Sequence, residues 1–157
     1  MSRGKVFLVE DELLLANNMK YQLIELGYEI TGIATRADET LNKLESLKNT
    51  PEFPDVIITD ISLTGKTNGL ELGRILNDSY EVAVIYISGL GQLDYIEEIL
   101  KIKPQGYLIK PFDSYFAHIN IQLALNQLKL EKEIKKLKEE IRKLKNQETH
   151  SRSFLFL

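Results

Sequence analysis

Four short apolar runs, Val6 to Val9, Val56 to Thr59, Val82 to Ile87 and Tyr107 to Ile109, each give way to a polar residue able to do phosphate chemistry. The first precedes Glu10-Asp11, the second Asp60, the third Ser88 and the fourth Lys110-Pro111. Runs this short, nearly continuous in Val, Ile and Leu, read as strands buried on both faces. If they are parallel strands of one open sheet, their carboxyl ends lie along a single edge, where such sheets bind ligands. Three acids, a hydroxyl and an ammonium then share one pocket.

The stretches between the runs switch to helical spacing. Leu13 to Leu26 carries Leu14, Leu15, Met19, Leu23 and Leu26 on or near one face, and Gly27 stops it as a C-cap glycine. Glu29 to Ala34 reads as a second strand, and Arg36 to Leu47 as a helix built on Ala37, Leu41, Leu44 and Leu47. A helix from about Leu70 to Leu76 follows the third strand, and one from about Leu93 to Ile102 follows the fourth. Gly106 to Ile109 makes the fifth strand. Strands alternating with helices call for right-handed crossovers and a doubly wound parallel α/β sheet. Five strands fit the flavodoxin-like order 2-1-3-4-5, which sets strands one and three side by side and Asp60 beside Glu10-Asp11.

At 157 residues the chain suits one main domain plus an extension. Its net charge of -3 provides no global basic field, so no direct nucleic-acid contact is expected. There is no cysteine for a disulfide or thiolate site, and no apolar run of membrane-spanning length. The opening Met-Ser-Arg-Gly-Lys leads into a strand-like run rather than a signal segment, and a cytoplasmic protein is expected.

Glu10, Asp11 and Asp60 crowded at one edge repel each other unless a cation or proton intervenes. Magnesium is the natural relief, being hard, oxygen-seeking and commonly held by one or two carboxylates with phosphate oxygens. A central carboxylate can also act as the nucleophile of an aspartyl-phosphate. Lys110 and Ser88 can then bind the transferred oxygens. Gly65-Lys66-Thr67 looks like the end of a phosphate-binding P-loop, but that motif needs a glycine where this chain has Asp60.

With V-E-D after strand one, I-T-D-I-S after strand three, I-S-G after strand four and Y-L-I-K-P-F around strand five, the chain resembles the receiver domain of two-component response regulators, a chemotaxis-type fold. The resemblance covers roughly Lys5 to Leu125. It implies that Asp60 is the phosphoacceptor, that Glu10 and Asp11 bind Mg²⁺ with Asp60, and that the backbone carbonyl of Ser62 completes the protein ligands. It further implies phosphoryl binding by Ser88 and Lys110, a cis Lys110-Pro111 peptide, and Tyr107 as the switch aromatic paired with Ser88. The partner is then a histidine kinase or phosphotransfer protein, with slow self-dephosphorylation and no turnover of an external substrate. Leu63 to Gly69 departs from the family's common Met-Pro after the acceptor, and Glu10-Asp11 stands where paired aspartates are commoner.

Beyond Pro111-Phe112, Asp113 or Ser114 can cap a helix with no glycine or proline until well past Gln147. Leu130, Ile134, Leu137, Ile141 and Leu144 recur at steps of four and three, placing Ile at a and Leu at d of a heptad. Glu133 and Glu140 at g face Lys138 and Lys145 at e of a parallel partner. A homodimer is expected through these residues. The alternative is a solvated single helix held by its own glutamate and lysine pairs. The organisation read from sequence is a receiver over 3–125, a coiled-coil extension over 126–149 and a strand-like tail over 150–157. That tail either begins a truncated output domain or packs on the receiver. The rival function is a receiver-like scaffold that is never phosphorylated and acts through its coiled coil.

Overall fold

The computed structural model describes residues 1–156. Its strands β1 (Lys5–Val9), β2 (Glu29–Ala34), β3 (Val56–Asp60), β4 (Ala83–Gly89) and β5 (Gly106–Lys110) form one parallel sheet in the order β2-β1-β3-β4-β5. Helices α1 (Leu13–Glu25), α2 (Ala37–Leu47), α3 (Gly69–Ser79), α4 (Ile96–Ile102) and α5 (Ser114–Leu155) follow the strands in turn. The doubly wound architecture and strand order agree with the sequence reading.

Because side chains alternate across a strand, each inner strand feeds two cores. Val6, Leu8, Val56, Ile58 and Ile85 face α1 and α5, meeting Met19 and Leu23 of the first and Ala117, Ile121 and Ala124 of the second. Phe7, Val9, Ile57, Val84 and Tyr86 face α2, α3 and α4, meeting Leu44, Leu72, Leu76 and Ile99. Tyr86 is fully buried, and its hydroxyl donates to the Leu70 carbonyl at 3.0 Å, which satisfies a group that would otherwise be costly to bury.

Two glycines carry specific duties. Gly27 ends α1 at φ 91° in a Schellman arrangement, its N–H bonding the Ile24 carbonyl at 2.9 Å while the Tyr28 N–H bonds that of Leu23 at 3.0 Å. Gly69 opens α3 so close to β3 that a Cβ there would stand 1.7 Å from the Asp60 carbonyl oxygen. Any side chain at 69 must therefore displace the backbone that carries Asp60.

Several boundaries differ from expectation. α4 starts at Ile96 rather than near Leu93, because Leu90–Tyr95 forms a 3-10 segment kinked at Gln92 (φ -110°, ψ 21°). Leu14, expected on the inner face of α1, is exposed, and Ala16 is buried there instead. The largest difference is at the end of the chain. Ser151–Leu155, expected to be strand-like, continue α5, and Phe154 and Leu155 are exposed rather than packed on the receiver. Local apolar composition suggested a strand, but without neighbouring strand edges the helix already under way extends at one hydrogen bond per residue. Leu157 of that expected tail lies outside the described residues.

Candidate functional site

Three of the polar residues that close the apolar runs, Asp60, Ser88 and Lys110, are strand-borne. Asp60 is the last residue of β3 and pairs with Ile87, Ser88 pairs with Ile109, and Lys110 pairs with Gly89. Glu10 continues the line of β1, its N–H bonding the Ala34 carbonyl at 3.0 Å. Strand pairing thus fixes where each side chain leaves the sheet edge, to a precision that a loop could not offer.

Carboxylate oxygens of Glu10, Asp11 and Asp60 lie within 4.8 Å of one another. At that separation each ionised pair repels by roughly 3 kcal/mol at an effective dielectric of ~20. Glu10 and Asp60 are buried, at 1% and 5% exposure, whereas Asp11 is half-buried at the rim. Asp11 does not cap α1, since the cap position is Glu12 and it makes no side-chain cap bond.

Lys110 is the cation of the pocket. Its Nζ donates to Asp60 Oδ2 at 2.6 Å and to Glu10 Oε2 at 2.9 Å. Burial pushes the Glu10 carboxyl up to about 7, with Lys110 pulling the other way and the Asp60 charge adding to the rise. Burial alone would lower the Lys110 ammonium, but its bonds to Asp60 and then Glu10 outweigh that and hold it above the ordinary lysine value. One ammonium against three acids leaves the pocket short of positive charge. Three convergent hard oxygen donors that need a counter-charge are what a small divalent cation such as Mg²⁺ takes, so the residues present fit that ion. The Ser62 N–H donates to Asp60 Oδ1 at 2.8 Å, which ties the backbone of Ser62 to the acid.

Ser88 is fully buried and its hydroxyl is hydrogen-bonded to that of half-buried Tyr107. The two residues expected to act together are already in contact. The Lys110-Pro111 peptide is cis, as the resemblance implied.

Gln92 was not singled out by the sequence. Its Oε1 accepts from the Gly89 N–H at 2.9 Å and its Nε2 donates to the Ser62 hydroxyl, so one amide clips the end of β4 to the loop after β3. A glutamine in a polar turn has no periodic signature, and only the folded position of that turn reveals the link. His118, given no role from sequence, hydrogen-bonds Arg3 and Tyr28 near the opposite edge of the sheet, where it ties α5 to the start of β2.

The sequence matches the response regulator receiver domain family over residues 6–121. It is 28% identical to the chemotaxis protein CheY of Thermotoga maritima across 69% of this chain and 86% of that protein. It is 36% identical to the transcriptional regulatory protein MalR of Bacillus subtilis, across 69% of this chain but 44% of the relative. The chain thus spans about half the length of the transcriptional regulators it matches, 58% in the case of PdtaR of Mycobacterium tuberculosis. Among solved structures, the signal receiver domain of a modulated diguanylate cyclase from Desulfovibrio desulfuricans G20 superposes with a TM-score of 0.73 at 29% identity, covering 82% of this chain and 98% of that one. A response regulator receiver domain protein from Clostridium thermocellum gives 0.70 at 30% identity, over 83% and 98%. Among the described residues no helix is long and apolar enough to cross a membrane. The family match over most of the chain and the 2-1-3-4-5 sheet agree, and the chain belongs to the response regulator receiver domain family of two-component signalling.

Proposed function

We propose that this receiver accepts a phosphoryl group on Asp60 from the phosphohistidine of a cytoplasmic histidine kinase or phosphotransfer protein. The observation that carries the reading is Asp60 itself, buried between two other acids with Lys110 at 2.6 Å. An Asp60 carboxylate oxygen forms the new P–O bond while the P–N bond to imidazole breaks. The imidazole keeps the bonding electrons and takes a proton from solvent. Glu10, Asp11, Asp60 and the Ser62 carbonyl would hold a Mg²⁺ ion, which when bound would supply positive charge toward the phosphoryl oxygens.

Lys110 begins hydrogen-bonded to Asp60 and Glu10, so its ammonium can follow negative charge onto a phosphoryl oxygen without crossing the pocket. Ser88 can donate to a second oxygen once its hydroxyl turns from Tyr107. Moving that shared contact repositions Tyr107 on β5 and the surface it forms with α4 and α5. Such a switch needs the phosphoryl group to bind one arrangement better than the other. Water attack on the acyl phosphate returns the resting state slowly, with no external substrate consumed. The signal leaves through α5, whose Leu130, Ile134, Leu137, Ile141 and Leu144 form the seam of a homodimeric coiled coil.

Incubation with Mg²⁺ and acetyl phosphate, followed by intact mass, tests the acceptor. One hydroxylamine-sensitive phosphoryl adduct is expected, absent in Asp60→Asn. No adduct on the native chain under conditions that label other receivers would overturn the reading in favour of an unphosphorylated scaffold.

A further inference from the structure

Gln92, in the kinked turn after β4, lies against the sheet edge that carries the acid pocket. Along a strand the backbone groups of successive residues turn to opposite neighbours. The Ile61 N–H bonds the Ile87 carbonyl at 3.0 Å, so Ile87 presents its backbone toward β3, whereas the Gln105 N–H bonds the Val84 carbonyl at 3.0 Å on the β5 side. By that alternation the Gly89 N–H points to the side of β3. β3 itself has ended at Asp60, which pairs with Ile87, so Gly89 stands two residues, roughly 6.6 Å, further along and faces the gap ahead of the Asp60 carboxylate. A backbone donor thus overlooks the space that a phosphoryl group on Asp60 would enter.

That donor is already taken. Gln92 Oε1 accepts the Gly89 N–H at 2.9 Å, and Gln92 Nε2 donates to the Ser62 hydroxyl. A backbone N–H can only donate, which fixes the amide with its oxygen toward β4 and its nitrogen toward Ser62. The Ser62 N–H in turn donates to Asp60 Oδ1 at 2.8 Å, so one chain of hydrogen bonds runs from the acceptor acid to the residue after Ser88. Little else holds the turn. A Cβ placed on Gly89 or Gly91 would meet no heavy atom within 4 Å, and Leu90 is 66% exposed. Among the described residues, the two bonds of Gln92 are the only side-chain hydrogen bonds made by Leu90–Tyr95.

We propose that Gln92 is a latch that caps the Gly89 N–H in the resting receiver, and that phosphorylation of Asp60 opens it by drawing that N–H onto a phosphoryl oxygen. This rests on the phosphoacceptor reading above and names a residue that opposes it. An anionic phosphoryl oxygen takes an N–H about twice as strongly as a neutral amide carbonyl does, so the exchange runs toward the phosphorylated state. One neutral hydrogen bond is still lost in the exchange, and the donor is available only for the fraction of time that Gln92 has released it, which lowers the hold on the phosphoryl group by that fraction. Gln92 acts through Gly89 and Ser62, as a positioning residue that biases the receiver toward rest.

Titration of the full chain with beryllium fluoride and Mg²⁺, a non-covalent stand-in for the phosphoryl group, reads that bias by calorimetry, and hydrogen exchange of the Gly89 amide reads the cap in the unliganded protein. Gln92→Ala is expected to bind beryllium fluoride about three- to tenfold more tightly than the native chain, the worth of one neutral hydrogen bond, and to exchange its Gly89 amide faster. A merely structural clip would lose affinity on being cut. Equal or weaker binding by Gln92→Ala, or an unchanged Gly89 exchange rate, would overturn the latch and leave Asp60 standing as the acceptor. If Gln92→Ala does not fold, Ser62→Ala, which keeps the backbone carbonyl and removes only the far anchor of the clip, is expected to tighten binding in the same direction, and no change there would overturn the latch. A native chain that takes up neither beryllium fluoride nor a phosphoryl group from acetyl phosphate would overturn the acceptor reading, and the latch with it.

Discussion

α5 changes character partway along. Up to Leu128 it fills one of two cores, with Ala117, Ile121 and Ala124 at 0% to 1% exposure, whereas from Lys129 to Phe156 every described residue is exposed. The backbone is continuous, but different forces hold its two halves. The first is helical because tertiary packing needs it there; the second relies on helix propensity and on pairs such as Glu139 with Arg142, each worth a few tenths of a kcal/mol. Contacts from Glu81 to Lys132 and Lys135, at 3.9 and 4.0 Å, are exposed and long, and add little. The chemistry divides the same way. The body holds the acids and the cation, and the outer helix holds an unpartnered apolar stripe.

The strongest way to break the contrast between body and outer helix is to cut a leucine from each. Leu72→Ala, on the buried face of α3, is expected to lower receiver stability by about 2–5 kcal/mol, whereas Leu137→Ala is expected to leave the receiver transition within ~0.5 kcal/mol at low concentration. Chemical denaturation of both variants checks it, and equal costs would show that the outer helix is part of the same cooperative unit. Removing the pocket's cation is expected to act on the chemistry and also to leave two buried acids without their counter-charge. Lys110→Ala should slow phosphoryl acceptance by about 10²-fold, equivalent to ~2.7 kcal/mol, as followed by the rate of adduct formation with acetyl phosphate.

Metal addition sharpens the difference from the other side. Mg²⁺ at a hundred times its dissociation constant is expected to stabilise the receiver by about 2.7 kcal/mol. Asp11→Asn should remove much of that gain, and the helical signal of the outer half should not change with the metal. A magnesium effect that survives Asp11→Asn would place the ion elsewhere. The smallest expected effect is that of Gln92→Ala, which cuts the clip between the end of β4 and Ser62. A stability loss of about 1 kcal/mol or less is expected, with a changed lifetime of the phosphoryl adduct as the more sensitive readout.

Most of the acid pocket was legible before any coordinates because its residues stand at the ends of apolar runs. Asp60, Ser88 and Lys110 each terminate a run whose composition marks it as a strand, and parallel strands share one edge. Gln92 was not legible, since a turn between β4 and α4 has no period to locate its side chains. The 3-10 segment that delays α4 is part of the same blind spot: Gln92 bonds Gly89 and Ser62 across the sheet edge, a long-range choice hidden from local propensity. The tail failed for the opposite reason. Phe154 and Leu155 have strand-like composition, but strands need neighbours to supply hydrogen bonds, and none of the described elements lies beside them.

By itself, then, the sequence determined which residue types arrive at one edge, in which order, and that a long helix follows them, because these depend on periodicities of two and 3.6 that are written locally. Tertiary structure alone decided that Lys110 spans Asp60 and Glu10 at hydrogen-bond distance, and that Ser88 and Tyr107 already touch. It also decided that the outward side of α5 is apolar from Phe116 onward. Distances and exposure depend on which faces the sheet occupies, and a chain acquires those only when its strands have paired.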